Sequence, residues 1–439
     1  MGVWFLYGSL NICSFVLINM KTSFSSFISR RLSLRAGNRR WAPAIVVAVG
    51  GIALSFMVML VSVAVVTGFK DEIRRKIMGF DAQITVSPLG KYYYGENESL
   101  SLTPALKDAI SQSVSSAGVN DDPEVSVTMR LPGLLKTDND FMGVVFKAFG
   151  CGYGWGFEHS NLLEGELPRE DNPRGIAISA SMARKLSIGL GDKVNVYFFV
   201  GEGIRPRKFE VSGIYCSNFG EYDDVIAYAS RDALAGLLKY GSDEGETIEI
   251  RGLGNDGIEA VAGNLQQRLN EGVMKGAIPQ SLVVSTVYSS GAVYFNWLDM
   301  LDTNIVVILI LMGCVSGFML VSCVLILILE RIRMVGLLKS MGATDRQVGM
   351  VFVRLGTRIT MIGLLLGNLI ALSFIGAEWL WRFIPLDASS YYLSYVPVRL
   401  SLCDWAMLNV GYACLSFLLM TLPAALVCRL SPVKVLRFE

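Results

Sequence analysis

A single histidine, His159, stands in 439 residues. General-base catalysis and transition-metal binding therefore lose the side chain they use most often, and His159 reads as an exposed loop residue. Eight cysteines include no C-x-x-C pair. Cys314, Cys323, Cys414 and Cys428 fall in or beside long apolar runs and read as small hydrophobes. Cys151 and Cys216 lie in the polar middle of the chain, where a bridge needs geometry that sequence does not supply. Residues 150–156, GCGYGWG, resemble a phosphate-cradling glycine loop. No helix pattern opens directly after them and no ordered βαβ unit surrounds them, so a flexible loop is the better reading. The acidic pairs Asp121-Asp122 and Asp223-Asp224 lack partners for a metal and read as solvated loops. Asn97-Glu98-Ser99 matches a glycosylation acceptor by composition only. No G-x-x-x-x-G-K-[ST], G-x-S-x-G or H-E-x-x-H string occurs. The chain has no P-loop for ATP, and a nucleotide motor must be another subunit.

The elements around these residues are apolar. Hydrophobic residues make up 52% of the chain and charged residues 18%, a balance that belongs in lipid. A net charge of +1 argues against nucleic acid as a partner. A helix needs about 20 apolar residues to cross about 30 Å of hydrocarbon. Residues 42–69, 303–329 and 405–428 are free of charge, and 359–377 form a shorter fourth run.

Lys and Arg near the span ends orient the chain. The first 41 residues carry Lys21, Arg30, Arg31, Arg35, Arg39 and Arg40 and no acid. Residues 330–358 hold six basic and two acidic residues, whereas 378–404 hold two basic and three acidic. The tail, 429–439, adds Arg429, Lys434 and Arg437 against Glu439. Both termini and 330–358 are expected in the cytoplasm, and 70–302 and 378–404 outside. Trp41, Trp379, Trp381 and Trp405 fall at headgroup level, and Tyr391, Tyr392 and Tyr395 point to an interfacial loop. Residues 1–19 lack the features of a signal peptide; with a natural start at Met20, they are treated as an upstream extension outside the fold.

Residues 70–302 are long enough for their own core, divided into two subdomains. Short β-branched or aromatic runs at 82–87, 194–200 and 209–214 predict strands. Helical spacing at 104–114, 179–186, 231–238 and 257–269 predicts helices, with Thr103 and Ser230 as N-caps. The fold class is a membrane protein of four transmembrane α-helices with a large mixed α/β periplasmic domain between helices 1 and 2.

Several strings then resemble one family. Residues 65–86, VVTGFKDEIRRKIMGFDAQITV, place a Gly-Phe at the outer end of span one, then a charged helix and a strand. Residues 27–32 (FISRRL), 164–192 (EGELPREDNPRGIAISASMARKLSIGLGD), 211–224 (VSGIYCSNFGEYDD) and 295–304 (FNWLDMLDTN) continue the likeness. Residues 328–344, ILERIRMVGLLKSMGAT, and the closing 430–439, LSPVKVLRFE, complete it. Together they resemble the lipoprotein-releasing permeases and, more widely, the FtsX-like permeases over 20–439.

The resemblance implies a MacB-like core in the periplasmic domain, an FtsX-like permease domain over 303–439, and the inner membrane as location. It implies a non-catalytic subunit that pairs with a second permease, itself or a paralogue. A separate ABC-type ATPase would bind the ATP and magnesium, membrane lipids would surround the spans, and an acylated lipoprotein would be the cargo. Alternatives within the superfamily are a MacB-like exporter of another cargo and an FtsX-like scaffold that regulates a periplasmic partner.

Two sets of residues are candidates for function. In the cytoplasmic segment, Gly342, Ala343, Thr344, Asp345 and Arg346 combine a flexible glycine, a helix cap and exposed charge, which suit a coupling element touching the ATPase. In span one, Phe56, Met57, Met59 and Leu60 offer an adaptable apolar surface for acyl chains, beside Gly50, Gly51, Ser55 and Ser62; they read equally well as a packed helix face. Asn304 and Asn368 read as interhelical hydrogen-bonding residues.

Overall fold

The computed structural model describes residues 35–36, 40–41 and 43–428, apart from 95–97, 119–122, 138–139, 151–152, 170, 201–202, 242 and 388–390. The extension 1–19, the motif 27–32, the tail 429–439, Asn97, Asp121, Asp122 and Cys151 lie outside the described residues. The chain divides into two compact units. One holds the apolar helices. The other comprises Lys70–Leu298 with Pro385–Tyr395.

Five helices frame the apolar unit: α1, Pro43–Phe80; α2, Ala292–Glu330; α3, Ile332–Ser340; α4, Asp345–Trp381; and α5, Leu402–Cys428. All but α3 contain stretches long and apolar enough to cross a membrane. Each exceeds the run expected from sequence. With 38 residues at a rise of about 1.5 Å, α1 is nearly twice as long as the hydrocarbon is thick. The charged helix expected after the first span is therefore the end of that same helix. The spanning helices share one apolar core, in which Ile52, Phe56 and Leu60 of α1 meet Leu320 of α2, Ile359 and Ala371 of α4, and Tyr412 and Met420 of α5. Close approach depends on glycine, since a Cβ at Gly367 would stand 2.9 Å from the Ala53 carbonyl oxygen.

The polar domain is built on ten strands: β1, Ile84–Pro88; β2, Glu124–Lys136; β3, Phe141–Phe149; β4, Leu162–Gly165; β5, Gly175–Ser179; β6, Lys193–Val200; β7, Gly203–Tyr215; β8, Ile226–Ala229; β9, Thr247–Arg251; and β10, Leu282–Thr286. Their order is β10-β1-β9-β2-β3-β8-β5-β7-β4, and β6 pairs with both β7 and β2. The strands β2, β3, β8, β5, β7 and β6 thus close a ring around Met129, Phe146, Ile178, Val196 and Phe198. The remaining end, β10-β1-β9, packs Ile84, Val86, Ile248 and Ile250 against the helices Pro104–Ser116 and Ile258–Met274. Two cores follow, as the length of the segment predicts. The expected strands and helices are present, and Thr103 and Ser230 cap their helices by accepting from Leu106 N and Ala233 N.

The end of α1 enters this domain, and its last carbonyls have no partner within the helix. Arg251 donates to Met78 O at 3.0 Å and Gly79 O at 2.8 Å, and Lys147 donates to Phe80 O at 2.7 Å. Cations suit the negative end of the helix dipole. They also face each other, since Arg130 of β2 is in register with Lys147 of β3. Glu249 of β9 offsets this repulsion, pairing with Lys147 at 3.0 Å, Arg251 at 2.8 Å and Arg130 at 3.1 Å, while Asp81 takes a second Arg130 contact at 2.8 Å. Burial alone would raise the Glu249 carboxyl, but Lys147, Arg251 and Arg130 outweigh it and hold it below the usual carboxylate range. Burial, then Arg130, pushes Lys147 from 10.5 down to about 7 in spite of Glu249.

Glu249→Gln leaves Arg130 and Arg251 around a neutral amide and removes the charge that keeps Lys147 protonated, at an expected cost of about 3–5 kcal/mol, and should lower the thermal midpoint of the detergent-purified chain. Lys147→Met leaves Glu249 its two arginines and should cost less; equal losses would contradict the network. Because Lys147 sheds its proton more easily folded than unfolded, the folded state holds fewer protons between about pH 7 and 10, and stability rises with pH there. The wild type should therefore gain on Lys147→Met across that window, as measured by denaturation at several pH values.

Candidate functional site

The first candidate set lies between α3 and α4. The short helix α3 docks Val335 against Val324 and Ile328 of α2 and Val348 and Phe352 of α4. Met341 is its C-cap, after which Gly342 takes φ +95, a conformation that side-chain-bearing residues avoid. The chain turns there, and Thr344 starts α4 with a reciprocal cap: its hydroxyl accepts from Gln347 N at 3.4 Å, and its own N–H donates to Gln347 Oε1 at 3.0 Å. Asp345 adds a 2.8 Å ion pair with Lys339, reaching back from α4 to α3. The turn is thus fixed from both sides. Gly342, Thr344, Asp345 and Arg346 are exposed and Ala343 is half-buried.

The structure adds residues to this turn. Met341 is 79% exposed and Leu337 56% exposed, one helical turn apart at the end of α3, so the element presents an apolar knob beside Arg346. The Lys339 side chain, which pairs with Asp345, is 7% exposed. The alternation of basic and apolar residues in α3 signals a docked amphipathic helix, but not that two apolar side chains at its end face away from the chain.

The second candidate set is placed differently. Phe56 and Leu60 have no exposed surface and Met59 is 6% exposed; all three lie in the shared core of the apolar unit, and Met57 packs partly against it. Phe56 meets the ring of Tyr412 edge-on, with centroids 5.4 Å apart. In this conformation these side chains face inward. The outward face of α1 instead carries Val47, Gly50 and Leu54. Asn368 of α4 is fully engaged: it donates to Asn409 at 2.7 Å and accepts from the Trp405 indole at 2.7 Å, joining α4 to α5. Asn304 is exposed on α2.

Three loop readings change in the polar domain. The described part of 150–156 is packed, since Tyr153 stacks on Phe149 at 3.8 Å and Trp155 meets Phe149 and Tyr228 edge-on. A short helix, Gly156–Ser160, follows at once and carries the exposed His159. Its buried Glu158 accepts from the Tyr153 hydroxyl. Rings fill the space a phosphate would need. Asp223 is buried and accepts from Ser217 Oγ at 2.6 Å, so it is not a solvated loop residue, whereas Asp224 stays half-exposed and pairs with the exposed Lys185 at 2.7 Å. Cys216 is a free thiol whose Sγ lies 3.4 Å from Asn218 Oδ1. The tyrosine-rich segment Pro385–Tyr395, read as interfacial, belongs to the polar domain.

Residues 45–268 match the MacB-like periplasmic core domain, and residues 282–432 match the FtsX-like permease C-terminal domain. The chain is 24% identical over 408 residues to the lipoprotein-releasing system transmembrane protein LolC of Xylella fastidiosa (strain 9a5c), covering 89% of this chain and 92% of that protein. It is 22% identical over 407 residues to the corresponding protein LolE of Haemophilus influenzae, covering 88% and 92%. Among solved structures, the periplasmic region of MacB from Actinobacillus actinomycetemcomitans is 14% identical and covers 48% of this chain and 92% of its own, at a TM-score of 0.32 that carries no argument. With the MacB-like model spanning half the sequence and the FtsX-like model most of the rest, the chain belongs to the FtsX-like, MacB-like superfamily of permeases.

Proposed function

We propose that this chain is the permease subunit of an ABC transporter that extracts acylated lipoproteins from the inner membrane for transfer toward the outer membrane. The observation that carries this reading is its end-to-end match to transmembrane proteins of lipoprotein-releasing systems, over 89% of this chain and 92% of the LolC protein. The chain contributes no nucleotide site, since no phosphate loop is present in its sequence. A separate ABC-type ATPase supplies the energy, and a second permease, a copy or a paralogue, completes the membrane part.

The turn from Met341 to Arg346 receives the motor's stroke. Its support is geometric: a rigidly capped turn presents two apolar side chains and a cation, the composition of a small docking knob. Both termini and this turn face the cytoplasm and the polar domain faces the periplasm, which the alternating Lys and Arg counts support. Apolar contacts suffice for an acyl-anchored cargo, because each buried CH₂ contributes about 0.8 kcal/mol.

Vesicles holding the permease and its ATPase should release a lipoprotein only with ATP. Arg346→Glu and Met341→Asp should weaken ATPase docking or uncouple hydrolysis from release, and Gly342→Pro, which imposes a φ near −65° on a residue at +95, should do the same. Arg382→Glu should not. Normal release by all three turn variants would reduce the turn to a connector, and failure of release by the wild type would remove the cargo assignment. For orientation, alkaline phosphatase fused near Gly241 should be active and near Gly342 inactive; the reverse pattern would invert the topology.

A further inference from the structure

The described residues between α4 and α5 pair at Pro385 and Tyr395. The bridge is antiparallel, and Leu386 N donates to Ser394 O at 3.0 Å. Near the end of this segment Tyr392 adopts φ +60, an unfavourable conformation for an aromatic residue. That conformation is held by three contacts with the polar domain. The Tyr392 carbonyl accepts from Lys76 Nζ at 2.8 Å, its ring lies 4.8 Å from the fully buried Phe219, and its hydroxyl donates to Glu221 Oε1 at 3.0 Å.

Of the partners of Tyr392, Lys76 comes from the end of a spanning helix, and Phe219 and Glu221 come from the short helix Gly220–Asp223 and its cap. Lys76 belongs to the last turns of α1, is buried, and also donates to Ser217 O at 2.5 Å. Burial lowers its pKa against the pull of Glu72 and Asp223. Glu221 accepts a second tyrosine hydroxyl, that of Tyr294 in the first turn of α2. The rings continue the chain of contact, since Tyr222 is tilted against Phe219 at 5.1 Å and stacks on Phe80, the last residue of α1, at 4.7 Å. One small cluster therefore gathers the end of α1, the start of α2 and the strap between α4 and α5.

We propose that Lys76, Glu221 and Tyr392 form a clip that makes the strap Pro385–Tyr395 a mechanical link, delivering movement of the α4–α5 pair to the polar domain during release. These are positioning residues and touch no cargo. An unclipped loop would let α4 and α5 move without loading the domain; the clipped one adds a point of attachment to those that α1 and α2 provide. The proposal rests on the reading of the chain as an ATP-driven permease, and does not depend on what the cargo is.

The test uses the full permease in complex with its ATPase, comparing wild type with Lys76→Met, Tyr392→Ala, Tyr392→Phe and Glu221→Ala. Hydrogen exchange across Lys70–Leu298 with and without ATP reports the link directly, beside ATP hydrolysis and lipoprotein release. In the wild type, ATP should change exchange in the domain. Lys76→Met and Tyr392→Ala should abolish that response and reduce release about tenfold, the scale of one lost hydrogen bond to a charged group, while hydrolysis and core protection persist. Tyr392→Phe, which keeps the ring and carbonyl, should lose less. Glu221→Ala changes an exposed side chain and gives a milder cut if the buried variants fail to fold. An ATP response that survives in Lys76→Met, Tyr392→Ala or Glu221→Ala, or that is missing from the wild type, overturns the clip. A clip-dependent response without any lipoprotein release supports the clip and removes only the cargo assignment.

Discussion

A helix that ends inside a folded domain must find donors for its last carbonyls, and α1 finds them in Arg251 and Lys147. Neither cation could be buried there alone. Glu249, 1% exposed and within 3.1 Å of three cations, offsets their repulsion, and Asp81 tethers Arg130 to the residue following the helix. The network ties β2, β3 and β9 to one helix end, so the strand registers and the helix position specify each other. Around it, the described part of the glycine-rich loop packs as stacked rings, with Arg251 5.7 Å from the centre of the Tyr153 ring.

An unbroken helix of 38 residues begins in an apolar stretch and ends where Arg251 and Lys147 donate to its last carbonyls. Polar contacts also appear where α4 is joined to α5 by Asn368, Asn409 and Trp405, and where α3 is joined to α4 by Lys339 and Asp345. These joints are polar and fully engaged, whereas the surfaces between helices are apolar and close-packed through residues such as Gly367. The sequence carries no phosphate loop of its own.

The spans were legible because a run of about 20 apolar, uncharged residues matches the thickness of hydrocarbon and must be helical to satisfy its backbone there. The helices Pro104–Ser116 and Arg231–Leu238 were legible from their caps. The strands β2, β3 and β9 were not, because Arg130, Lys147, Glu249 and Arg251 interrupt the apolar pattern with charges whose partners lie far away in sequence. The inward placing of Phe56 was equally hidden. On a helix that is apolar all round, periodicity does not say which face meets the neighbouring helices. The capped turn between α3 and α4 was visible from Gly342 and Thr344, but the exposed Leu337 and Met341 beside it were not. The contacts of Tyr392 with Lys76, Phe219 and Glu221 were hidden because aromatic composition does not say which distant residues a tyrosine meets.

The account stands most directly on what accompanies the chain in its own membrane. The permease should be purified intact from native membranes under mild detergent, and its bound proteins and lipid-modified peptides identified by mass spectrometry. The expected result is an ABC-type ATPase in stoichiometric amount, a second permease subunit and acylated lipoproteins. An ATPase recovered with only soluble or unacylated cargo, or a permease recovered with no ATPase at all, would contradict the assignment.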